Sequence, residues 1–240
     1  MIKLAVSGCQ GRMGQRITAL ALQARVFKLS ALLESRERPG VPNMMYGVPV
    51  AFDPSALKGS QILIEFTSPD ATIEHLKACQ RFGVNMVIGT TGLTKPQIAQ
   101  IRKASSKIAI VLSSNMSVGV NLVFGLIRQA AQITGKGYDI RLSETHHVHK
   151  KDAPSGTAKT MAEVAERFAK TKVKDIASIR EGEVIGDHTI TFESPVDLIS
   201  IHHHAKTRDI FAEGSLVAAK FLASKKKGLF NMQDVLGLNR

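Results

Sequence analysis

The chain has 240 residues, 44% hydrophobic and 22% charged, an ordinary balance for a water-soluble globular protein with room for one large domain or two small ones. A formal charge of +12 is high, but the lysines and arginines are spread along the chain, the one tight run (Lys225-Lys226-Lys227) suits a solvated face, and with no Trp and two Tyr there is no aromatic platform. These features exclude nucleic-acid binding and favour anionic small molecules as ligands. No stretch approaches the roughly 20 apolar residues that span a bilayer, and the apolar start Met1–Val6 stops at Gly8, too short for a signal peptide. Cys9 and Cys79 have neither bridge nor metal spacing, which fits a reducing cytosol and a cytoplasmic location.

The first element is a β-prone run at 2–7 ending in glycines. A helical stripe follows through Met13, Ile17, Leu20, Ala21 and Ala24. A second apolar run, Leu29 to Leu33, ends at Glu34 and leads into a Pro/Gly loop around Pro39-Gly40. Apolar runs at 61–66, 85–88 and 108–112 then alternate with helical patterns at 71–81 and 96–103. Short apolar strands alternating with helices predict βαβ units, hence an α/β fold with a Rossmann-like doubly wound parallel sheet.

The pattern changes after Ser113-Ser114-Asn115. A long apolar helix is expected over 118–133, a strand over 139–144, and a helix over 158–168 with Met161, Ala165 and Phe168 on one stripe. Strands follow at 189–193 and 198–204, the second with Ile199, Ile201 and His203 on one face. A small-residue helix over 214–222 and an apolar tail that packs complete the chain. The expected domains are therefore 1–117, completed by 214–240, and a smaller α+β domain over 118–213. Crossing twice between them makes a natural hinge.

Gly8, Gly11 and Gly14, with Arg12 and Met13 among them, follow the first strand and open the first helix. Glycines there let a pyrophosphate approach the backbone, and the helix N-terminus supplies N–H groups. Glu34 ends the second strand 20 residues past Gly14, where a carboxylate can accept hydrogen bonds from a ribose diol. Arg12 and Arg36 could instead meet a ribose phosphate, so NADH and NADPH both remain open; Arg38 reads as a solvated loop residue. Turns containing Phe66, Gly89-Thr90-Thr91, and Ser114-Asn115-Met116 fall at successive strand ends, where such sheets bind ligands.

The segment 144–158 carries the densest chemistry: Glu144-Thr-His-His-Val-His-Lys-Lys-Asp-Ala-Pro-Ser-Gly-Thr-Ala158. Proton donors, fixed cations and a helix start with a capping hydroxyl and free N–H groups lie within a dozen residues, a combination for binding a small polyanion and moving protons on it. Six histidines at 146, 147, 149 and 202–204 invite a metal reading. Consecutive residues in a strand point to opposite faces, so no metal is expected, and His202 and His204 read as packing or surface residues. Lys151 reads as solvated, and Asp152 as satisfying local backbone donors.

These motifs resemble one known family nearly end to end: 4-hydroxy-tetrahydrodipicolinate reductase, or dihydrodipicolinate reductase, of lysine and diaminopimelate biosynthesis. The resemblance rests on G-C-Q-G-R-M-G at 8–14, V-I-G-T-T-G at 87–92, S-N-M-S-V-G-V-N at 114–121 and H-H-V-H-K-K-D-A-P-S-G-T-A at 146–158, and continues through Gly186-Asp187-His188-Thr189, His203 to Arg208, and 228–236. It implies NADH- or NADPH-dependent reduction of a cyclic imine dicarboxylate in a homotetramer built through the second domain's sheet. By position, His146 matches the family's proton donor and Lys150 the lysine that holds the substrate. His147, Gly156 and Thr157 match its substrate contacts. Gly8 to Gly14, Glu34, Gly89, Thr90 and Thr91 match its cofactor contacts. Two departures stand out: Ser35 separates Glu34 from Arg36, and 173–187 reads as shortened, with Glu181-Gly182-Glu183 where an Arg-Gly-Gly element is usual, which should trim the second sheet. The rival reading is an NAD(P)-binding regulator without turnover.

Overall fold

Alternation within the first strand builds both faces of the larger sheet. In β1 (Ile2–Ser7) Leu4 and Val6 enter one apolar cluster and Ala5 the other, the arrangement of a parallel sheet covered by helices on both sides. In this computed structural model, which describes residues 1–238, the chain separates into two units: Met1–Ser117 with 211–238, and Val118–Ile210. The last two residues of the 214–240 segment expected above lie outside the described residues.

The first unit runs β1, α1 (Arg12–Gln23), β2 (Phe27–Leu33), β3 (Met44–Met45), β4 (Val48–Ala51), a 3-10 turn (Pro54–Leu57), β5 (Ile62–Glu65), α2 (Pro69–Phe82), β6 (Asn85–Ile88), α3 (Lys95–Ala104) and β7 (Ala109–Leu112). In the second lie α4 (Val118–Thr134), β8 (Asp139–His146), α5 (Gly156–Ala169), β9 (Asp175–Arg180), β10 (Asp187–Glu193) and β11 (Leu198–His204). Then α6 (Asp209–Leu222) returns the chain to the first unit, where β12 (Gly228–Phe230) and α7 (Met232–Val235) follow. No helix among the described residues is long and apolar enough to cross a membrane.

The larger sheet has the order β12-β7-β6-β5-β1-β2-β4-β3. All its pairings are parallel except β3 with β4. Strand order reverses between β1 and β5, so the carboxyl ends of those strands form the crevice where doubly wound folds bind ligands. Side-chain caps fix the helices that border it: Ser68 accepts from Ala71 N ahead of α2, and Thr94 forms a capping box with Gln97 ahead of α3. The hairpin of β3 and β4 was not legible in the sequence. Pro49 lies inside it, and a proline in a short run signals an edge or no strand at all. The tail packs as expected, with β12 against β7 and Met232 fully buried.

The second unit holds a four-stranded sheet ordered β11-β10-β8-β9, antiparallel except for β8 with β9. Ile140 and Leu142 of β8, Ile190 and Phe192 of β10, and Val123, Ile127, Met161 and Ala165 of α4 and α5 share its core. Strand β9 lies in the region read as shortened. Its Ile176 pairs with inward-facing Leu142, whereas Ile179 pairs with Thr145 on the opposite face and is 47% exposed. Two apolar residues on opposite faces give no period-two signal, so the strand was invisible to pattern reading.

Gly14 is where the backbone approaches itself most closely in the first βα turn. A methyl there would lie 2.0 Å from Gly8 O and 2.8 Å from Cys9 Cα, and both are backbone atoms that cannot yield. Gly14→Ala should cost about 1–3 kcal/mol or more, as overpacking does, read from urea unfolding of the whole chain. Gly137→Ala, with nothing within 4 Å of the added methyl, should stay within about 0.5 kcal/mol of wild type. Equal midpoints for the two variants would contradict this packing.

Candidate active site

Strand alternation continues along the inner face of β8. Ile140 and Leu142 sit under the helices, and the next two residues on that face are Glu144 and His146, 1% and 8% exposed. A carboxylate that far from water needs partners. His146 Nδ1 is hydrogen-bonded to Glu144 Oε2. Arg180 Nη2 donates to Glu144 Oε1 at 3.0 Å, and Ser155 N donates to the same oxygen at 3.3 Å. The sheet register brings these together: Arg180 of β9 pairs with His146, and His188 of β10 with Glu144.

Ser155 is the N-cap of α5, its Oγ accepting from Ala158 N at 3.1 Å. The helix therefore starts with Gly156 and Thr157 next to the carboxylate–imidazole pair, and a methyl on Gly156 would meet nothing within 4 Å. Lys150 lies in the loop between β8 and α5, its Nζ 2.8 Å from Asp152 Oδ1. Asp152 thus pairs with Lys150 instead of serving mainly the local backbone, and the ammonium beside it holds its carboxyl below the usual range. Arg180 ties this loop down, with Nη2 donating to Asp152 O at 2.6 Å and Nε to Lys150 O at 3.3 Å. His147 is half-buried with no protein partner for Nδ1, and His149 faces Glu183 at 3.6 Å.

Charge and burial set the protonation states. Burial alone would raise Glu144, but the hydrogen bonds from Arg180 and His146 outweigh it and hold the carboxylate ionised. Burial lowers His146, and the positive charges of Lys150 and Arg180 add to that, against the opposing pull of Glu144. His188 packs edge-on to His146 with ring centroids 5.0 Å apart, and its Nε2 lies 3.1 Å from Ser155 Oγ. Burial, then His146, push it down to about 4. Glu144, His146 and His188 bring ligand-type atoms within 4.8 Å of one another. The His146–Glu144 hydrogen bond and the Arg180 guanidinium already use that space, so the set is an acid–base cluster with a built-in cation.

In the first unit, Gly8 has φ +64° and a methyl on it would meet Phe66 O at 2.8 Å, leaving the turn above β1 bare, as a phosphate requires. Gln10 N donates to Glu34 Oε2 at 2.8 Å and Ser35 N to Oε1 at 3.0 Å, so the Glu34 carboxylate is fixed at the end of β2. Arg36 stands 5.7 Å from the centre of the Phe52 ring, and Arg38 donates to Gln10 O at 2.9 Å. A cavity of about 490 Å³ opens here, lined by Gly8, Glu34, Arg36, Phe52, Thr67 and His75 among others. Arg12 and Thr91 are exposed, Met13 is half-buried, Gly11 N donates to Gly8 O, and the Phe66 ring lies against Gly89. Thr90 is buried, its hydroxyl accepting from Thr67 N and bonded to Thr72. Ser114 is exposed, Asn115 Oδ1 accepts from Ser117 N, and the Met116 side chain is in the core.

Two groups of residues were missed by sequence reading. Beneath the cavity, Glu65 is fully buried and receives Ser7, Thr67 and Thr72 hydroxyls and His75 Nδ1. Burial opposes protonation of His75, but Glu65 outweighs it and holds the imidazole above its ordinary value. In the second unit the missed residues are Glu144, Arg180 and His188, whereas Ser155 caps α5 as its place ahead of Gly156 led one to expect. Glu144 had a signal, since it lies two residues before His146 in an alternating strand. Arg180 immediately precedes the Glu181-Gly182-Glu183 stretch, so the arginine of that element is present one residue ahead of it.

A glycine loop at the switch point of a doubly wound sheet, with a histidine–lysine cluster at a helix N-terminus of an α+β unit, fits a dinucleotide-dependent oxidoreductase. Comparison with known proteins narrows the class. The models "Dihydrodipicolinate reductase, N-terminus" and "Dihydrodipicolinate reductase, C-terminus" match residues 2–116 and 119–236, and the chain belongs to the dihydrodipicolinate reductase family. It is 42% identical over 267 aligned positions to the 4-hydroxy-tetrahydrodipicolinate reductase of Nitrosomonas europaea, covering 99% of this chain and 98% of that one. It is 41% identical to that of Laribacter hongkongensis over 264 positions, with the same shares. Among solved structures it is similar to a dipicolinate-bound dihydrodipicolinate reductase from Paenisporosarcina sp. TG-14, with TM-score 0.82, 25% identity and 98% of each chain covered.

The depressed His188 has a stability consequence. Between pH 6.5 and about 4 the unfolded chain takes up a proton that the folded chain refuses, so stability falls as pH falls through that window. The loss should approach about 3 kcal/mol, since each tenfold change in proton affinity is worth roughly 1.4 kcal/mol. Urea midpoints of wild type at pH 7 and pH 5 should differ, and His188→Gln should flatten that difference. A wild-type midpoint unchanged between pH 7 and pH 5 would contradict a buried neutral His188.

Proposed function

We propose that this chain catalyses the NAD(P)H-dependent reduction of 4-hydroxy-tetrahydrodipicolinate to tetrahydrodipicolinate in diaminopimelate and lysine biosynthesis, with His146 as proton donor and Lys150 holding the dicarboxylate. The observation that carries the assignment of roles is that His146 is bonded to the buried Glu144, which also accepts from Ser155 N at the start of α5, while Lys150 pairs with Asp152 in the loop ahead of the same helix. NAD(P)H, when bound, supplies the hydride. The glycine loop of residues 8–14 holds its pyrophosphate, with the turns at Phe66, Gly89 to Thr91 and Ser114 to Met116 as the further contacts. By this assignment 1–117, completed by 214–240, is the dinucleotide domain and 118–213 the substrate domain.

The substrate is a dianion, and the site meets it with groups of opposite polarity. The N–H groups of Gly156 and Thr157 take one carboxylate, and the Lys150 ammonium shares its charge between Asp152 and the substrate. His147 Nδ1, which has no protein partner, donates to or accepts from the ligand. Both carboxylate contacts draw electron density from the ring and so favour hydride addition at the carbon that loses its hydroxyl as water. The enamine that results takes a proton from His146. Burial and two cations lower His146 in the free protein, and the arriving dianion raises it, so the acid is loaded when the substrate is present.

Glu34 makes NADH the preferred donor. Its carboxylate is fixed by two backbone N–H groups and suits a ribose diol. A 2′-phosphate would stand beside that negative charge, while Arg36 is held over Phe52 and Arg38 on Gln10 O. We also propose a homotetramer built on the open face of the second sheet, where Leu198 is 58% and Ile179 47% exposed among Ser, Thr and charged neighbours.

An assay coupled to the upstream synthase tests these readings. His146→Ala should lower kcat about 10²- to 10⁴-fold, the range of a positioned acid. Lys150→Ala should weaken dipicolinate binding by roughly 10- to 100-fold in calorimetry, the value of a charged hydrogen bond. Activity should be about tenfold higher with NADH than with NADPH in kcat/KM, a difference near 1.4 kcal/mol. Full turnover in both variants would end the assignment of roles, and an NADPH preference would end the reading of Glu34. Light scattering should give four copies of the 26.0 kDa chain, and Leu198→Asp should shift the mass downward; a monomeric wild type would contradict the tetramer.

A further inference from the structure

A proton donor needs a fixed orientation, and the neighbours of His146 supply one. We infer that Glu144 is a positioning residue for His146, holding the imidazole by Nδ1 so that Nε2 is the nitrogen that delivers the proton, and that Arg180 locks Glu144 in that role while anchoring the Lys150 loop. This rests on the reading of His146 as the donor and adds to it the atom, the tautomer and the supporting pair.

The geometry leaves few alternatives. Glu144 Oε1 is occupied by Arg180 Nη2 and Ser155 N, and Oε2 by His146 Nδ1. An ionised carboxylate only accepts, so Nδ1 must carry a proton in both protonation states of His146. Nε2 faces the other way, toward Gly186. A methyl built on Gly186 would lie 3.0 Å from Nε2, so the absence of a side chain there keeps that nitrogen open. Transfer then balances simply: the Nε2–H bond of the imidazolium breaks, a C–H bond forms on the enamine carbon, and the neutral Nδ1–H tautomer remains on Glu144, to be reprotonated at Nε2 from water. Without the carboxylate, the neutral ring could rest with its proton on Nε2 and its acceptor nitrogen turned away from substrate.

Five charged or titratable groups bear on His146. Glu144 on its own strand favours its protonation, while Lys150 in the following loop and Arg180 on β9 oppose it; His188 on β10 is buried and is itself pushed down by His146, and Asp152 is engaged with Lys150. The two supporting residues therefore act in opposite directions. Removing the carboxylate lowers the imidazole further, and removing the guanidinium raises it. Arg180 has a second effect, because its bonds to Lys150 O and Asp152 O hold the segment that carries the substrate-binding ammonium.

The test combines kinetics with ring-nitrogen NMR on the full-length protein. Glu144→Gln should lower kcat about 10²-fold, the lower end of what a positioned acid contributes, with KM changed less than about threefold. Its high-pH limb in kcat/KM should move to lower pH. Arg180→Met should move that limb to higher pH and raise KM. In wild-type protein labelled with 15N-histidine, neutral His146 should be protonated at Nδ1, a measurement that needs no variant to fold. In a His146→Ala background, Glu144→Gln should cost no further activity. An Nε2–H tautomer in wild type, additive losses in the double variant, or limbs that move the same way would overturn the inference. A fully active His146→Ala would instead sink the donor reading itself, so the two failures are distinct.

Discussion

A carboxylate almost entirely removed from water is the constraint around which the second unit is organised. Glu144 sits on the inner face of a sheet whose preceding inward residues are Ile140 and Leu142, so its charge must be answered locally or the fold would be strongly destabilised. Three elements answer it. Strand β9 brings Arg180, the turn into α5 brings Ser155 N, and β8 itself brings His146. The same pairing that stabilises the buried charge gathers an acid–base group, a cation and a helix N-terminus at one edge of the sheet.

In the first unit the constraint is close approach of backbone to backbone. Gly8 and Gly14 leave no room for Cβ atoms, and the turn they form sits above a second buried carboxylate, Glu65, with its hydroxyl and imidazole partners. The pattern recurs: a strand of a covered sheet ends in a buried acid, and that acid orders the loop which follows. Where the neighbours of Glu144 include a guanidinium, those of Glu65 are hydroxyls and one histidine.

Much of the architecture was legible in the sequence because its signals are local. Strand, glycine turn and helix at 2–24, the alternating apolar runs to 112, and the capping serine ahead of Gly156 each declare themselves within a few residues. What escaped were features fixed by long-range pairing. Strand β9 has Ile176 and Ile179 on opposite faces, and Arg180 meets Glu144 across 36 positions. The hairpin of β3 and β4 contains a proline that argues against strand. Glu144 itself stood in plain view two residues before His146, but only strand periodicity, not a charge motif, marks it as facing the same way. For the first unit, the positions named from strand ends divide in the structure: Thr90 and Met116 bury their side chains, whereas Arg12, Thr91 and Ser114 remain exposed.

Arg180 closes an outermost strand, paired on one side only. Such margins fray before the interior does, opening locally at a free energy well below that of the whole domain. If β9 peels back, the guanidinium leaves, the loop bearing Lys150 slackens, and the buried acid loses its counter-charge, while the helices and central strands stay folded. Gentle heating should therefore silence the molecule before it melts, with the fastest amide exchange of the second sheet in β9.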